Sequence, residues 1–296
     1  MSLRAVSCFV LAAVCVALVG PARAQKPHRA AQEAGPPAKE LFGAKAKPAK
    51  LPAQPIGSYA RGCLAGAMAL PIDGAHWQVM RLSRNRNWGD PSLVRMIERL
   101  ANKVPKAVGW NGILVGDMSQ PRGGPTITGH ASHQIGLDVD VWLTPMPDHV
   151  LSKEERENLS AINMVAADSM SINPETWTAP TGALVKAAAE DPVVERVLVN
   201  AAIKKELCRT AGRDRAWLKK VRPWFLHRTH MHVRIACPPG DRECKPQPAP
   251  PKGDGCGKDL AWWFTAAALH PKPSPPRPPL KLTDLPPACR AVLNAP

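Results

Sequence analysis

His133-Gln134-Ile135-Gly136-Leu137-Asp138-Val139-Asp140-Val141-Trp142-Leu143 is answered far downstream by His230-Met231-His232-Val233-Arg234-Ile235. Both stretches alternate apolar and polar residues, the period of a strand whose successive side chains point to opposite faces. Leu137, Val139, Val141 and Leu143 fall on one face, and Asp138, Asp140 and Trp142 on the other. Met231, Val233 and Ile235 are separated from His230, His232 and Arg234 in the same way. The expectation is two neighbouring strands whose apolar faces pack, while the acidic face of the first looks outward. Together the polar faces offer imidazoles and carboxylates to one cleft.

Gly129-His130-Ala131-Ser132-His133-Gln134-Ile135-Gly136 precedes the acidic strand, with glycines that permit a tight turn at each end. His133 precedes Asp140 by seven positions, so a turn and half a strand bring both to one ion. A catalytic zinc takes three protein ligands from His, Asp or Glu and leaves a fourth position to water. His133, Asp140 and His232 meet that demand. A single carboxylate against a divalent ion leaves net positive charge, which acidifies water and stabilises an oxyanion. Each residue also has a plainer reading, as a satisfied polar histidine or a solvated strand carboxylate. Five of the nine histidines, however, fall in two short clusters: His130 with His133, and His227 with His230 and His232. Glu155 and Glu157 read as surface helix residues.

Elsewhere helical and extended signals alternate. Asp90-Pro91 reads as an N-cap followed by proline at the first helical position, with Leu93, Ile97, Leu100 and Val104 at helical spacing. Ile113–Val115 and Val193–Val199 read as strands, and Ala201–Cys208 as a helix. Residues 25–58 are rich in Ala, Pro and Lys without an apolar period and are expected to form a flexible lead-in. One domain is expected over 59–245, followed by a proline-rich segment over 246–296 that includes Pro275-Pro276-Arg277-Pro278-Pro279. No internal repeat occurs.

Arg4, the apolar run Cys8–Val19 and Ala22-Arg23-Ala24 form a secretory signal over residues 1–24, with an uncleaved anchor as the alternative. The run is too short for a hydrocarbon core that needs roughly 20 residues. After cleavage Cys63, Cys208, Cys237, Cys244, Cys256 and Cys289 remain, an even set that suits three disulfides in an oxidising periplasm. Counting alone leaves their connectivity open. A cysteine-bound metal is the competing reading, but the chain has no CxxC pair. Cys256 and Cys289 lie in the proline-rich segment, which is therefore expected to be stapled back onto the domain. The formal charge is +15, and loss of Arg4 and Arg23 leaves 37 basic against 24 acidic residues, or +13. That field favours polyanionic surroundings. Export, with one Tyr and four Phe, argues against nucleic acid and for an anionic cell-wall polymer or membrane surface.

The H-x6-D pattern of His133 and Asp140, followed by His230-Met231-His232, resembles the peptidase group that unites lysostaphin-type enzymes, D-alanyl-D-alanine metallocarboxypeptidases and hedgehog amino-terminal domains. Within that group the chain resembles penicillin-insensitive murein endopeptidases. Arg81-Leu82-Ser83-Arg84-Asn85-Arg86, Gly116-Asp117-Met118-Ser119, Gly129–His133 and Arg222–His232 carry the likeness, which runs from about Cys63 to Cys289. The resemblance implies an α+β fold, a small central antiparallel sheet flanked by helices and loops and stapled by disulfides. It implies zinc on His133, Asp140 and His232, with His130 tied to the metal site. His230 would assist the attacking water, and His227 would polarise or stabilise the intermediate. The implied disulfides are Cys63 with Cys289, Cys208 with Cys256, and Cys237 with Cys244. A second, peripheral metal position in the family pairs an Asp with a His three residues on; Asp168 stands at the first, but Ser171 replaces the second.

The implied activity is hydrolysis of the D-alanyl-meso-diaminopimelyl cross-link of peptidoglycan by a mechanism without a serine nucleophile, hence indifferent to β-lactams. Two alternatives accompany it: a D,D-carboxypeptidase or dipeptidase trimming free stem ends, and a non-catalytic, zinc-stabilised peptidoglycan-binding module.

Overall fold

Asp90 and Pro91 begin the longest helix among the described residues as their chemistry predicts. The Asp90 carboxylate accepts from Ser92 N at 2.8 Å, Pro91 needs no N–H partner, and the helix Pro91–Val108 ends at Gly109 with φ 79°. This helix belongs to a computed structural model that describes residues 35–273 and 275–296. The expected signal segment, residues 1–24, and the beginning of the lead-in lie outside the described residues.

Among the described residues the strands form three sheets. β1 (Gln54–Ser58) and β2 (Arg61–Ala65) make a hairpin, and β3 (Met68–Ala69) pairs with β6 (Trp88–Gly89). The central sheet runs in the order β10 (Val221–Pro223), β9 (Val194–Val199), β11 (His230–Ile235), β8 (Asp138–Pro145), β7 (Ile113–Val115), β5 (Trp77–Val79) and β4 (Asp73–Gly74). The fold is α+β as expected, but the sheet is mixed. β10–β9 and β5–β7 are parallel, whereas the site-bearing pair β11–β8 is antiparallel. Parallel neighbours need a crossover. The helices Pro91–Val108 and Ala201–Thr210 lie in those two connections.

Val139, Val141 and Leu143 of β8 meet Met231, Val233 and Ile235 of β11 in one core with the helices Pro91–Val108 and Ala179–Ala189. Each fully buried aliphatic side chain there contributes about 1.5–3 kcal/mol. The opposite face departs from expectation. Asp138 and Asp140 do not look outward: they are 0% and 4% exposed. Loops cover them. The backbone N–H of His133 donates to Asp138 at 3.0 Å, Tyr59 lies over the Arg234 guanidinium at 4.0 Å, and Trp142 packs with Met80, Leu114 and Leu151.

Part of the expected flexible lead-in is packed, beginning at Ala38. Ala38 and Phe42 of the helix Ala38–Gly43 are completely buried. Phe42 lies against Gly124, where φ is 77° and a Cβ would come within 2.3 Å of the ring. These residues share a second apolar cluster with Ile56, Cys63, Cys289 and Val292. The C-terminal helix Ala288–Asn294 completes it, and Arg122 caps that helix by donating to the carbonyls of Val292 and Leu293 at 3.0 Å and of Ala295 at 2.6 Å. The disulfides are Cys63–Cys289, Cys208–Cys256 and Cys237–Cys244, the pairing implied by the resemblance.

Candidate metal centre

The antiparallel register of β8 and β11 sets Asp140 directly opposite His232, and Asp138 opposite Arg234. The preceding turn is shaped by Gly129 (φ 92°) and Gly136 (φ 70°), and His133 itself adopts φ 65°. That left-handed conformation turns the His133 ring into the same cleft. His133 Nε2 and His232 Nδ1 are 3.1 Å apart. Asp140 Oδ1 lies 3.5 Å from the first and 3.2 Å from the second. Donors bound at about 2.0–2.1 Å around a tetrahedral zinc stand roughly 3.3 Å from one another, so the three atoms have the spacing of a metal's ligand set. The buried Asp140 Oδ1 has no hydrogen-bond partner, as an atom reserved for a cation would not. The chemistry of the set, two imidazoles and one carboxylate, fits zinc.

His130 borders the same carboxylate. Its Nδ1 is 3.5 Å from Asp140 Oδ2, and candidate donor atoms of His130, His133 and Asp140 all lie within 4.8 Å of one another. Its other nitrogen, Nε2, is engaged with Asp117 Oδ2 at 3.0 Å, and Arg86 and Arg84 bond the same oxygen at 2.8 and 3.0 Å. The separations around His232 are the shorter ones and favour His133, Asp140 and His232 as the inner set, with His130 beside it.

A second layer orients these groups. Asp138 Oδ1 accepts from His232 Nε2 at 3.0 Å and from Arg234 Nε at 2.7 Å, while Oδ2 accepts from His133 N at 3.0 Å and Arg234 Nη2 at 3.2 Å. One carboxylate therefore fixes the backbone of one histidine and the tautomer of another, the carboxylate–histidine arrangement that raises ligand basicity. Burial opposes every charge here, and the partners decide the outcome. Asp138 and Asp140 are held far below the ordinary carboxylate range by Arg234 and by the surrounding histidines respectively. Burial drives His133 down, whereas for His232 the Asp138 and Asp140 carboxylates overcome burial and raise it to about 9. Asp117 is also buried, yet His130, Arg86 and Arg84 lower it to about 2.

His230 and His227 flank the cleft. His230 Nε2 is 3.8 Å from Asp140 Oδ2, and its Nδ1 is 3.2 Å from Thr229 Oγ1. The His227 ring is 5.1 Å from that of His230 and 5.9 Å from that of His232. A carbonyl can only accept, so His227 Nδ1 carries the proton it donates to Phe225 O at 2.7 Å. Burial and the neighbouring His232 pull His227 down to about 4. Asp168 is not brought to the cleft group. It is exposed in a turn and accepts from Met170 N at 2.9 Å, and among the described residues it joins no cluster of three metal-ligating side chains.

Two contributors were not singled out by sequence reasoning. Asp138 shares its face with Asp140, so the alternation contained the signal, but a solvated strand carboxylate accounted for it equally well. Asp117 lay within Gly116-Asp117-Met118-Ser119, a block with no metal-ligand spacing of its own.

A sequence profile described as penicillin-insensitive murein endopeptidase matches residues 55–294. The chain is 47% identical over 244 residues to the penicillin-insensitive murein endopeptidase of Klebsiella pneumoniae (strain 342), covering 82% of this chain and 86% of that protein. It is 46% identical over 243 residues to the protein of that name from Pectobacterium atrosepticum, covering 81% and 84%. The corresponding Yersinia enterocolitica protein is 47% identical over 241 residues, covering 81% and 86%.

Proposed function

The chain belongs to the penicillin-insensitive murein endopeptidase family, and on that premise we propose that it is an exported zinc endopeptidase that opens D-alanyl-meso-diaminopimelyl cross-links of peptidoglycan. The observation that carries the zinc reading is the convergence of His133 Nε2, His232 Nδ1 and the unpartnered Asp140 Oδ1 within 3.1–3.5 Å of one another. These three residues are the proposed ligands. Zinc held there supplies a Lewis acid that polarises a carbonyl and acidifies water.

The remaining work falls to the chain's own residues. His230 stands at the edge of the centre with Nε2 turned towards Asp140, where it takes a proton from the attacking water and returns one to the leaving amine. His227 has its Nδ1–H committed to Phe225 O, so Nε2 presents a lone pair. It is suited to accept from a substrate N–H or a water, and it is a poor donor to an oxyanion. Arg84, Arg86 and Asp117 hold His130 against the Asp140 carboxylate. No serine or cysteine nucleophile takes part, which accounts for a mechanism indifferent to β-lactams.

The test is digestion of intact sacculi by the purified, oxidised protein, with and without a chelator, followed by separation of the products. The expected result is conversion of cross-linked dimers to monomers, lost on chelation and restored by zinc. His133→Ala and Asp140→Ala should each abolish bound zinc and activity. Release of free D-alanine alone would replace the endopeptidase with a carboxypeptidase, and zinc retained at full stoichiometry in both variants would sink the ligand assignment.

A further inference from the structure

Next to the candidate centre lies a groove of about 960 Å³, within the range of ligand sites. One wall is the loop 125–131 and the other is the proline-rich strap 277–280. His130, whose Nδ1 lies 3.5 Å from Asp140 Oδ2, lines both this groove and the pocket of about 180 Å³ that contains Asp117, Asp140 and His230, so the groove borders the centre. Its walls are tied down. The strap is anchored by Ala38 N donating to Leu280 O at 2.8 Å and, beyond it, by the Cys63–Cys289 disulfide. Gln134 bridges floor and loop by donating to Ala60 O at 2.9 Å and Ala131 O at 3.2 Å, and Arg86 holds Thr128 O at 2.9 Å.

The lining is cationic. Lys39, Arg61 and Arg277 face the groove, and none forms an ion pair with a carboxylate among the described residues. The one lining carboxylate, Asp284, accepts from Lys281 N at 2.7 Å. Ile127, 53% exposed, supplies an apolar surface. Pro278 and Pro279 bring no N–H donors, so along the strap an occupant's carboxylates are met by side-chain charge, while the backbone of these two residues offers carbonyl acceptors only. An occupant that suits these walls is extended, carries carboxylates and reaches the centre with one end.

We propose that this groove holds one stem peptide of the cross-linked substrate, its carboxylates matched by Lys39, Arg61 and Arg277, and that the proline-rich strap is a wall of the substrate site. The inference rests on the function proposed above, but its test does not require catalysis. The probe is the uncross-linked stem tetrapeptide L-alanyl-D-glutamyl-meso-diaminopimelyl-D-alanine, titrated calorimetrically against the full oxidised chain and against Arg61→Glu/Arg277→Glu. The reversal should raise Kd by about tenfold or more and remove most of its salt dependence. Arg61→Lys/Arg277→Lys should bind close to wild type, and a tetrapeptide with amidated carboxyls should bind wild type more weakly than the native peptide does, though less weakly than the native peptide binds the reversed variant. Circular dichroism checks folding, and Arg61→Gln/Arg277→Gln, expected to show a smaller loss, replaces the reversal if that variant does not fold. Unchanged affinity in the charge variants, or undiminished binding of the amidated peptide, overturns the proposal. Charge-dependent binding by a protein that leaves sacculi intact would sink the endopeptidase reading and keep the groove, whereas digestion by the charge variants at wild-type KM would do the reverse.

Discussion

Replacing Asp138 by Asn tests whether the second layer builds the centre. Asp138 is fully buried and accepts four hydrogen bonds, from His232 Nε2, His133 N, Arg234 Nε and Arg234 Nη2. Asparagine is almost isosteric but has one acceptor edge. Whichever way the amide is turned, its NH2 faces two of those donors, and Arg234, buried against Tyr59, loses its counter-ion. Removing one partner of a buried ion pair costs about 3–5 kcal/mol, and the retained acceptor edge places this change near about 3 kcal/mol. For a chain of this size that lowers Tm by roughly 6–12 °C. Zinc affinity should fall by about 10–100-fold, the usual effect of losing a carboxylate behind a ligating histidine. Urea unfolding of the metal-free, oxidised protein gives the first quantity, and competition with a chelating indicator gives the second. In Asp138→Asn/Arg234→Met the stranded charge is gone, so most of the stability should return while zinc affinity stays low. An Asp138→Asn protein with wild-type stability and wild-type zinc affinity would refute the assignment of Asp138 as the group that orients the site.

His230→Ala should keep zinc and fold while turnover on muropeptide dimers falls by about 10²–10⁴-fold with little change in KM; unchanged turnover would move the proton-transfer role to His227. Loss of the Cys63–Cys289 link, which closes a separation of 226 residues, should destabilise the chain by about 5 kcal/mol on the chain-entropy argument, read by urea unfolding of Cys63→Ala/Cys289→Ala. Burial, reinforced by Arg222, lowers Lys204 to about 7, although its ammonium donates to Leu218 O at 2.8 Å and Asp254 O at 2.6 Å. The unfolded chain therefore binds the extra proton between about pH 7 and pH 10, so this residue's contribution to stability rises with pH through that window and is absent below it. Lys204→Met should remove that part of the rise, and parallel wild-type and variant curves would contradict it.

The signals that fixed the fold were those in which local chemistry and tertiary packing agree. Asp90-Pro91 capped a helix because the carboxylate bonds Ser92 N whatever lies around it. Leu93, Ile97, Leu100 and Val104 could be read as one face because the helix has one buried side. The lead-in failed for the opposite reason. Leu41, Phe42, Leu51 and Ile56 are the few large apolar residues of a stretch without period, and Phe42 packs on a partner remote in sequence, the glycine at 124. Composition carries no trace of such a contact. The mixed order of the central sheet was equally hidden, since alternation reports which face a side chain takes and says nothing of which strand lies alongside.

The polar face of β8 shows where sequence pattern and chemistry part. An alternating strand is ordinarily apolar inside and polar outside, and Asp138 and Asp140 fit that rule as solvent-facing residues. Yet two carboxylates separated by one residue point the same way, and so do His232 and Arg234, which the register sets across from them. Each supplies what the other needs in order to be buried. Arg234 compensates Asp138, Asp138 orients His232, and Asp140 Oδ1, its charge balanced by the histidines around it, has no hydrogen-bond donor aimed at it and faces two imidazole nitrogens. A buried carboxylate oxygen without a partner is costly unless a cation completes it. Asp138 and Asp140 thus both break the inside–outside rule, and the buried Asp138 orients His232, the histidine that faces Asp140 in the proposed metal centre.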